Sequence, residues 1–260
     1  MTDLNETLLR EVMQEALESQ GATVIEITEE ECRYKMGEFH GAIRYEALRR
    51  SFGEDPNPEV AVRFIQKFTP GTDRYSTWDE AKTALVLGLE RQDTILPDHP
   101  CKPIGNTVAQ ILGIVPDDGD SWRFVTDKML AGWGVDPEEA WAIADSNSNR
   151  RMAENGIEST ELKGVKMWYF STDSLEKAGY LAASGLKEFV KDKIGWPIVA
   201  IAPAQDFVLM IDAKDDVSVL GYPAVNEHES SPFCLTTEVF EVSDEGIQII
   251  GEFRPDSEEE

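Results

Sequence analysis

The 260-residue chain has few cysteines and no long apolar run. Its three cysteines, Cys32, Cys101 and Cys234, lie far apart and form no CxxC pair, which excludes a disulfide framework and is typical of a reducing compartment. The longest apolar run, around Pro197 to Pro203, is far shorter than the roughly 20 residues that span a membrane. The N-terminal residues carry acids early and lack the apolar core of a signal peptide. We therefore expect a cytoplasmic protein that has no membrane partner.

Basic residues are scarce as well. The chain has 24 Lys and Arg against 50 Asp and Glu, which gives a net charge of −26. Residues 201–260 alone hold 15 acidic and 2 basic residues. Such a charge repels phosphate backbones, so direct nucleic-acid binding is not expected. A partner protein with a basic surface and adaptation to high salt are both compatible with the charge, and a well-solvated surface without a specific role is the simpler interpretation.

The common motifs of cofactor and metal sites are missing. Neither GxGxxG nor GxxxxGK[ST] occurs, which argues against a Rossmann or P-loop nucleotide site. His99 and Cys101 lie close together but have no second ligand pair to complete a zinc site. The segment Asn226–Glu229 has the wrong order for a metalloprotease helix, and we interpret it as a solvated polar turn. The acids between Asp117 and Asp120 lack the other ligands of a calcium loop, and a hairpin turn is favoured. The sequence therefore predicts no cofactor and no metal site.

Nucleophilic catalysis requires a base beside a serine or cysteine. The three histidines, His40, His99 and His228, belong to no recognisable motif of that kind. We predict no catalytic residue and favour a protein without enzymatic activity, while a hydrolase with an unfamiliar site stays open.

Apolar periodicity predicts an α+β fold made of two α/β halves, with mixed or antiparallel sheets and helices packed on one face. Residues 1–72 should contain a helix that ends at Gly21, three short strands, and a second helix from about residue 58 to 68. Residues 73–104 should form a loop-rich connection. Within it, Thr77–Glu80 fits a capping box, while residues 84–89 suit a buried strand equally well.

Residues 105–254 should form the C-terminal α+β region. Asp136 followed by Pro137 predicts a helix start, and Asp173 should cap a helix of about 16 residues. The apolar stretches Pro197–Ala202 and Phe207–Ile211 are expected to lie centrally in a sheet. The other predicted elements are strands at Val108–Val115, Ser121–Thr126 and Val165–Phe170, a short helix near Ser218–Ala224, and a closing strand pair at Leu235–Val242 and Gly246–Ile250. Residues 255–260 should form a disordered acidic tail.

Two groups of side chains are candidates for a binding surface. Trp168 belongs to a Trp-Tyr-Phe sequence that could line a groove or pack inside the protein. Asn147 and Asn149, expected after the Asp136 helix, could project into a cleft, with a polar helix end as the simpler alternative.

The order and spacing of the elements resemble the YtpQ-like family of bacterial proteins. The matching stretches are Leu8–Thr28, Val108–Leu130, the helix that reaches Ala144–Asn147, Tyr180–Leu209 and Phe233–Thr236. The resemblance implies a bacterial protein and adds Gln205 and Asp206 as candidates, because the family has a polar residue followed by Asp at this turn and an Asn where Asn147 stands. This chain has Gln205 where an Arg or another polar residue would be typical of the family, and it has Ser148 where the family usually has an apolar residue. The family has no established activity to carry over.

We therefore expect a non-catalytic cytosolic protein that binds another macromolecule, most simply a protein, through an acidic face in its second half. One alternative is an acidic inhibitor or immunity-type protein that mimics the charge of nucleic acid. Another is a small hydrolase in which a histidine or Asp206 meets Asn147 in a pocket.

Overall fold

The computed structural model describes residues 6–28, 31–36, 39–45, 59, 61–62, 75–95, 97–105, 107–115, 122–172, 174–231 and 233–254. The chain divides into two compact units, residues 1–74 with 230–233, and residues 75–229 with 234–260. Both units combine helices with antiparallel sheets, which confirms the α+β fold. None of the helices in these described ranges has the length and apolar character needed to cross a bilayer.

In the first unit, a helix packs on a three-stranded sheet. Its elements are α1 (Glu6–Ser19), β1 (Thr23–Ile27), β2 (Glu31–Met36) and β3 (Phe39–Arg44), and the strands are antiparallel in the order β1-β2-β3. Met13 and Leu17 of the helix are fully buried together with Tyr34 of the sheet. Gly21 has a φ of +81°, the left-handed conformation that favours glycine after a helix, as predicted. The predicted helix at 58–68 lies mostly outside the described residues.

The second unit begins with a small sheet. Its elements are α2 (Trp78–Ala81), β4 (Leu85–Arg91), β5 (Cys101–Ile104), β6 (Val108–Ile114) and β7 (Arg123–Phe124), with the sheet order β4-β6-β5 and β7 paired to β6. Residues 77–89 therefore contain both structures that the sequence suggested, a capped helical turn and then a buried strand. In the capping box, Glu80 Oε2 accepts a hydrogen bond from Thr77 N at 3.1 Å. The predicted turn at 116–120 lies outside the described residues.

Two helices cover this sheet. α3 (Asp127–Trp133) had no counterpart among the predicted elements, whereas α4 (Pro137–Asn155) starts where Asp136 and Pro137 predicted. Asp136 Oδ1 accepts from Glu138 N at 2.9 Å, so the carboxylate satisfies one of the unpaired amides at the helix start. The predicted helix is longer than expected, and it includes both Asn147 and Asn149.

A six-stranded antiparallel sheet forms the centre of the second unit. Its strands are β8 (Ile157–Leu162), β9 (Val165–Phe170), β10 (Ile198–Ala204), β11 (Phe207–Asp212), β12 (Glu238–Ser243) and β13 (Gly246–Glu252), in the order β13-β12-β10-β11-β9-β8. β10 and β11 are central, as their continuous apolar sequences predicted. Their side chains alternate between two cores: Ala200 and Met210 face one side, and Val199 and Ile211 face the other.

Helical segments lie on both faces of this sheet. A 3₁₀ helix (Lys177–Ala182) and α5 (Leu186–Val190) pack on the face that carries Met210. A second 3₁₀ helix (Val217–Leu220) and α6 (Gly221–Ser230) pack on the face that carries Ile211.

The predicted continuous helix after Asp173 is wrong, because the chain breaks into two pieces between residues 182 and 186. Two side chains of α4 hold the break. Asp145 Oδ1 accepts from Ser184 N at 2.8 Å, and Asn149 Oδ1 accepts from Gly185 N at 2.9 Å. These bonds satisfy amides that a continuous helix would have paired with its own carbonyls. Asp173 itself lies outside the described residues.

The predicted polar turn at Asn226–Glu229 is also wrong, because α6 continues through these residues to Ser230. Ala224 is fully buried against the sheet and anchors the helix. Polar composition alone did not distinguish the last turns of a helix from a loop.

A buried charged network holds α4 against the first 3₁₀ helix. Arg151 Nη1 donates to Glu176 Oε1 at 3.3 Å, and Arg151 Nη2 donates to Val115 O at 2.7 Å. The Glu176 carboxylate also accepts hydrogen bonds from the hydroxyls of Tyr180 and Ser174. Both oxygens of this buried carboxylate therefore accept from a donor, as a charge removed from water requires.

Candidate functional site

The turn between β10 and β11 carries Gln205 and Asp206, two of the predicted binding residues. Ala204 and Phe207 close the turn as a strand pair. Two neighbouring segments fix it in place: Ala178 N donates to Gln205 O at 2.9 Å, and Leu235 N donates to Pro203 O at 2.7 Å. The turn is therefore held by main-chain bonds from both sides.

The Gln205 side chain points into the protein and meets a buried acid. Gln205 is 5% exposed and Glu90, at the end of β4, is 7% exposed. Gln205 Nε2 donates to Glu90 Oε2 at 2.7 Å, and the other oxygen of Glu90 accepts from Arg91 N and Thr94 Oγ1, each at 2.9 Å. Burial raises the pKa of Glu90, and the bonds from Arg91 and Thr94 counteract part of that rise. Gln205 Oε1 is buried and has no hydrogen-bond partner among the described residues.

Asp206, on the same turn, belongs to a second group of charged residues, together with Glu227 and Lys177. Burial, and then the negative charge of Asp206, raise the pKa of Glu227 in α6, while Lys177 lowers it. Lys177 starts the first 3₁₀ helix and is 8% exposed. The structure therefore brings Gln205 and Asp206 together with acids from β4 and α6, an association across distant parts of the sequence.

Arg91, which follows Glu90, lies between the Glu90–Gln205 group and Cys234. Its guanidinium donates to both carboxylate oxygens of Asp93, at 3.0 and 2.7 Å. Nη1 of the same guanidinium lies 3.9 Å from Cys234 Sγ. Cys234 forms an isolated bridge with Ala204, which places the thiol beside the turn.

Asn147 has a structural role in α4. Its side-chain amide donates to Lys82 O and Leu85 O, both at 2.8 Å, which uses both of its N–H groups. Leu85 begins β4, whereas Glu90 lies five residues further along, and a strand rises about 3.3 Å per residue. Asn147 and Gln205 therefore contact β4 roughly 16 Å apart, and the structure does not join them in one site.

Trp168 lies on β9, opposite Met210 of β11 and Ser159 of β8. Its ring is partly buried against the core on that side of the sheet. Lys166 Nζ lies 4.1 Å from the centre of the ring, a cation–π contact. Trp168 is therefore near the β8 edge of the sheet, several residues along the strands from the Gln205 turn.

Sequence reasoning missed two buried polar side chains that organise this region. Ser148 is fully buried, and its hydroxyl accepts from Leu87 N at 2.9 Å. Glu90 was one of 50 acids, and no local pattern marked it as buried. Within the described ranges, no group of three or more His, Cys, Asp and Glu side chains is placed to hold a metal ion.

The most exposed aromatic side chain of the second unit lies on α6. Tyr222 is 77% exposed. The same side of the six-stranded sheet carries Asp215 and Asp216, which lead into the second 3₁₀ helix, Glu229 on α6, and Glu241, whose partner Val199 belongs to the core under α6. We call these five residues the α6 face. It combines one large aromatic group with four carboxylates.

Comparisons with protein-family models, with curated proteins and with solved structures found no match. The resemblance to the YtpQ-like family stays a prediction from the sequence.

Proposed function

We propose that the protein is a non-catalytic, cytoplasmic binding protein and that the α6 face binds a partner protein with a basic surface. The observation that carries this proposal is the exposed side chain of Tyr222 on a side of the sheet that also carries four carboxylates. Tyrosine is enriched among the residues that dominate protein interfaces, because it buries a large apolar area and offers one hydroxyl for a directed hydrogen bond.

The charge of the second unit supports a basic partner. Residues 75–260 hold 35 of the 50 acids and 15 of the 24 bases, a net charge of −20. Carboxylates at the rim of an interface attract a positively charged partner and speed the encounter, and they repel phosphate groups. A protein is therefore favoured over a nucleic acid as the partner.

The segments that carry the α6 face are held in place by a helix cap and by buried side chains. Asp216 Oδ1 accepts from Ser218 N at 3.0 Å and so caps the second 3₁₀ helix. The bond from Ser218 lowers the pKa of Asp216, with a smaller contribution from Lys163. Leu220 and Ala224 are fully buried beneath the helix. A rigid support reduces the ordering cost of binding.

Charge reversal tests the proposal. The tagged full-length protein is used to recover partners from the native host, and the recovery is compared for the wild type, Asp215→Lys with Glu229→Lys, and Tyr222→Ala. Asp216 is left unchanged because it caps a helix. A matched control, Asp192→Lys with Glu154→Lys, makes the same charge change at exposed positions outside the α6 face.

Loss of one partner from both α6-face variants, with retention in the control, would support the proposal. With the purified partner, Tyr222→Ala should weaken binding by about 30-fold, since a dominant interface residue contributes about 2 kcal/mol or more. Equal recovery from all variants would contradict it. Release of the partner by added nucleic acid at constant salt would instead identify a protein that mimics nucleic-acid charge.

A further inference from the structure

β8 forms one edge of the six-stranded sheet, and among the described strands it pairs with β9 alone. Its six residues, Ile157–Leu162, pair with β9 in an unbroken register. The strand contains no lysine and no proline, the residues that commonly protect an edge from pairing with another chain. β13, at the other edge, is less regular, because Ile250 is an extra residue between two of its strand pairs.

The direction of the backbone groups of β8 follows from the hydrogen bond at its start. Ser171 N donates to Gly156 O at 3.2 Å, so this pair faces inward. In an antiparallel pair the inward and outward positions alternate along the strand. Ile157, Ser159 and Glu161 therefore direct their N–H and C=O groups away from β9, towards the open edge.

The side chains decide which strand suits this edge. Glu158 lies opposite Tyr169 on one face of the sheet, and Glu161 lies opposite Lys166 on the other. Both are exposed, and neither has an ion pair among the described residues. Glu158 Oε2 accepts a hydrogen bond from the Tyr169 hydroxyl at 3.1 Å, and Lys166 is placed over the ring of Trp168. Each glutamate would therefore meet the side chain that an added strand places opposite it.

A second copy of β8 is a poor occupant. Only the odd-numbered residues direct their backbone groups outward, so two antiparallel copies must match odd with odd and even with even. In the two registers that pair the most residues, Glu158 lies opposite Thr160 or Leu162 and Glu161 lies opposite Ile157 or Ser159, so neither glutamate meets a cation. An extended segment with a cation opposite each glutamate would be stabilised instead. Because the two glutamates lie on opposite faces, the cations must be an odd number of residues apart.

We propose that β8 binds an extended segment of a partner protein that carries two lysines or arginines three positions apart. The segment adds a strand to the sheet through main-chain hydrogen bonds to Ile157, Ser159 and Glu161, and the two cations provide the specificity. The β8 edge shares no residue with the α6 face, and the inference goes beyond the function proposed above.

Two synthetic peptides test the spacing. Both have eight residues, valine and threonine with two lysines, and identical composition. In one the lysines are three positions apart, in the other two. We expect the first to bind about two- to fivefold more tightly, since a favourable cross-strand charge pair contributes a few tenths to 1 kcal/mol. The preference should disappear in Glu158→Lys with Glu161→Lys, which should bind the matching glutamate peptide instead.

Amide hydrogen exchange gives a residue-level readout. The peptide should slow exchange at Ile157, Ser159 and Glu161 and leave the already paired Glu158 and Thr160 amides unchanged. Ser159→Pro removes an outward N–H and should abolish binding without loss of the fold, whereas Thr160→Pro removes a bond to β9 and should disrupt the hairpin. Binding should be unaffected in Asp215→Lys with Glu229→Lys, which separates this surface from the α6 face. Equal affinity for both peptides together with unchanged amide exchange would overturn the proposal.

Discussion

Replacing Glu90 by glutamine should change how the stability of the protein depends on pH. Burial raises the pKa of Glu90 in the folded protein. The folded state then holds the proton more tightly than the unfolded chain, in which a glutamate titrates near pH 4.3. Stability should therefore fall as the pH rises from that ordinary pKa through the raised folded pKa, by at most about 1.4 kcal/mol per pH unit for one proton. Below the ordinary pKa both states keep the proton, and this contribution is fully present.

The structure indicates that glutamine can occupy this position. Its carbonyl oxygen would accept the hydrogen bonds of Arg91 N and Thr94 Oγ1, and its amide nitrogen would then face Gln205 Nε2. A half-turn of the Gln205 amide removes that conflict, because Gln205 Oε1 becomes the acceptor. Gln205 Oε1 has no partner among the described residues, so the half-turn breaks no described hydrogen bond of that oxygen.

The measurement is urea unfolding of the wild type, Glu90→Gln and the control Glu139→Gln between about pH 5 and about pH 8. Glu139 is exposed in the first turn of α4. We expect the free energy of unfolding of Glu90→Gln to increase relative to that of the wild type as the pH rises, and we expect no such trend for the control. A constant difference between Glu90→Gln and the wild type over this range would refute the assignment of a raised pKa to Glu90.

Two buried polar contacts give further predictions. Ser148→Ala should lower the free energy of unfolding by about 1–3 kcal/mol, because the Leu87 N–H loses its acceptor inside the protein; a loss below about 0.5 kcal/mol in urea unfolding would contradict this. Arg151→Met should cost about 3–5 kcal/mol, because it leaves the Glu176 carboxylate buried without its cation. The double variant Arg151→Met with Glu176→Gln should recover part of that loss, and simple addition of the two single effects would show that the pair is not coupled.

Local rules predicted the elements whose cause lies within a few residues. Asp136 and Pro137 specify the start of α4, because the cap and the first helical position need only the neighbouring amides. The apolar sequences of β10 and β11 predicted their central position, since a strand buried on both faces cannot alternate with polar residues. At residues 84–89 periodicity left two structures open, and only packing against α4 and the sheet selected the strand.

The failures have a different cause. The helix after Asp173 breaks because Asp145 and Asn149 bind amides 39 and 36 residues away in the chain. The sequence of residues 174–190 is itself compatible with a helix, so the deciding information lies in α4. Asn147 was selected as a polar residue near a cleft, yet its amide binds carbonyls 65 and 62 residues earlier. Such long-range bonds leave no periodic signal.

The sequence also could not predict which acidic residues are buried at the candidate site. Three acids in the described part of the chain, Glu90, Glu176 and Glu238, are buried. Two of them accept from a hydroxyl four residues later, Thr94 and Tyr180, but a glutamate followed by a hydroxyl at that distance is too common to indicate burial. Gln205, the donor that distinguishes Glu90, is 115 residues away. The net charge of the sequence therefore counts two kinds of acidic residue together: buried acids that organise the interior, and exposed acids that a partner can contact. Only the exposed acids support the binding roles proposed for the α6 face and the β8 edge.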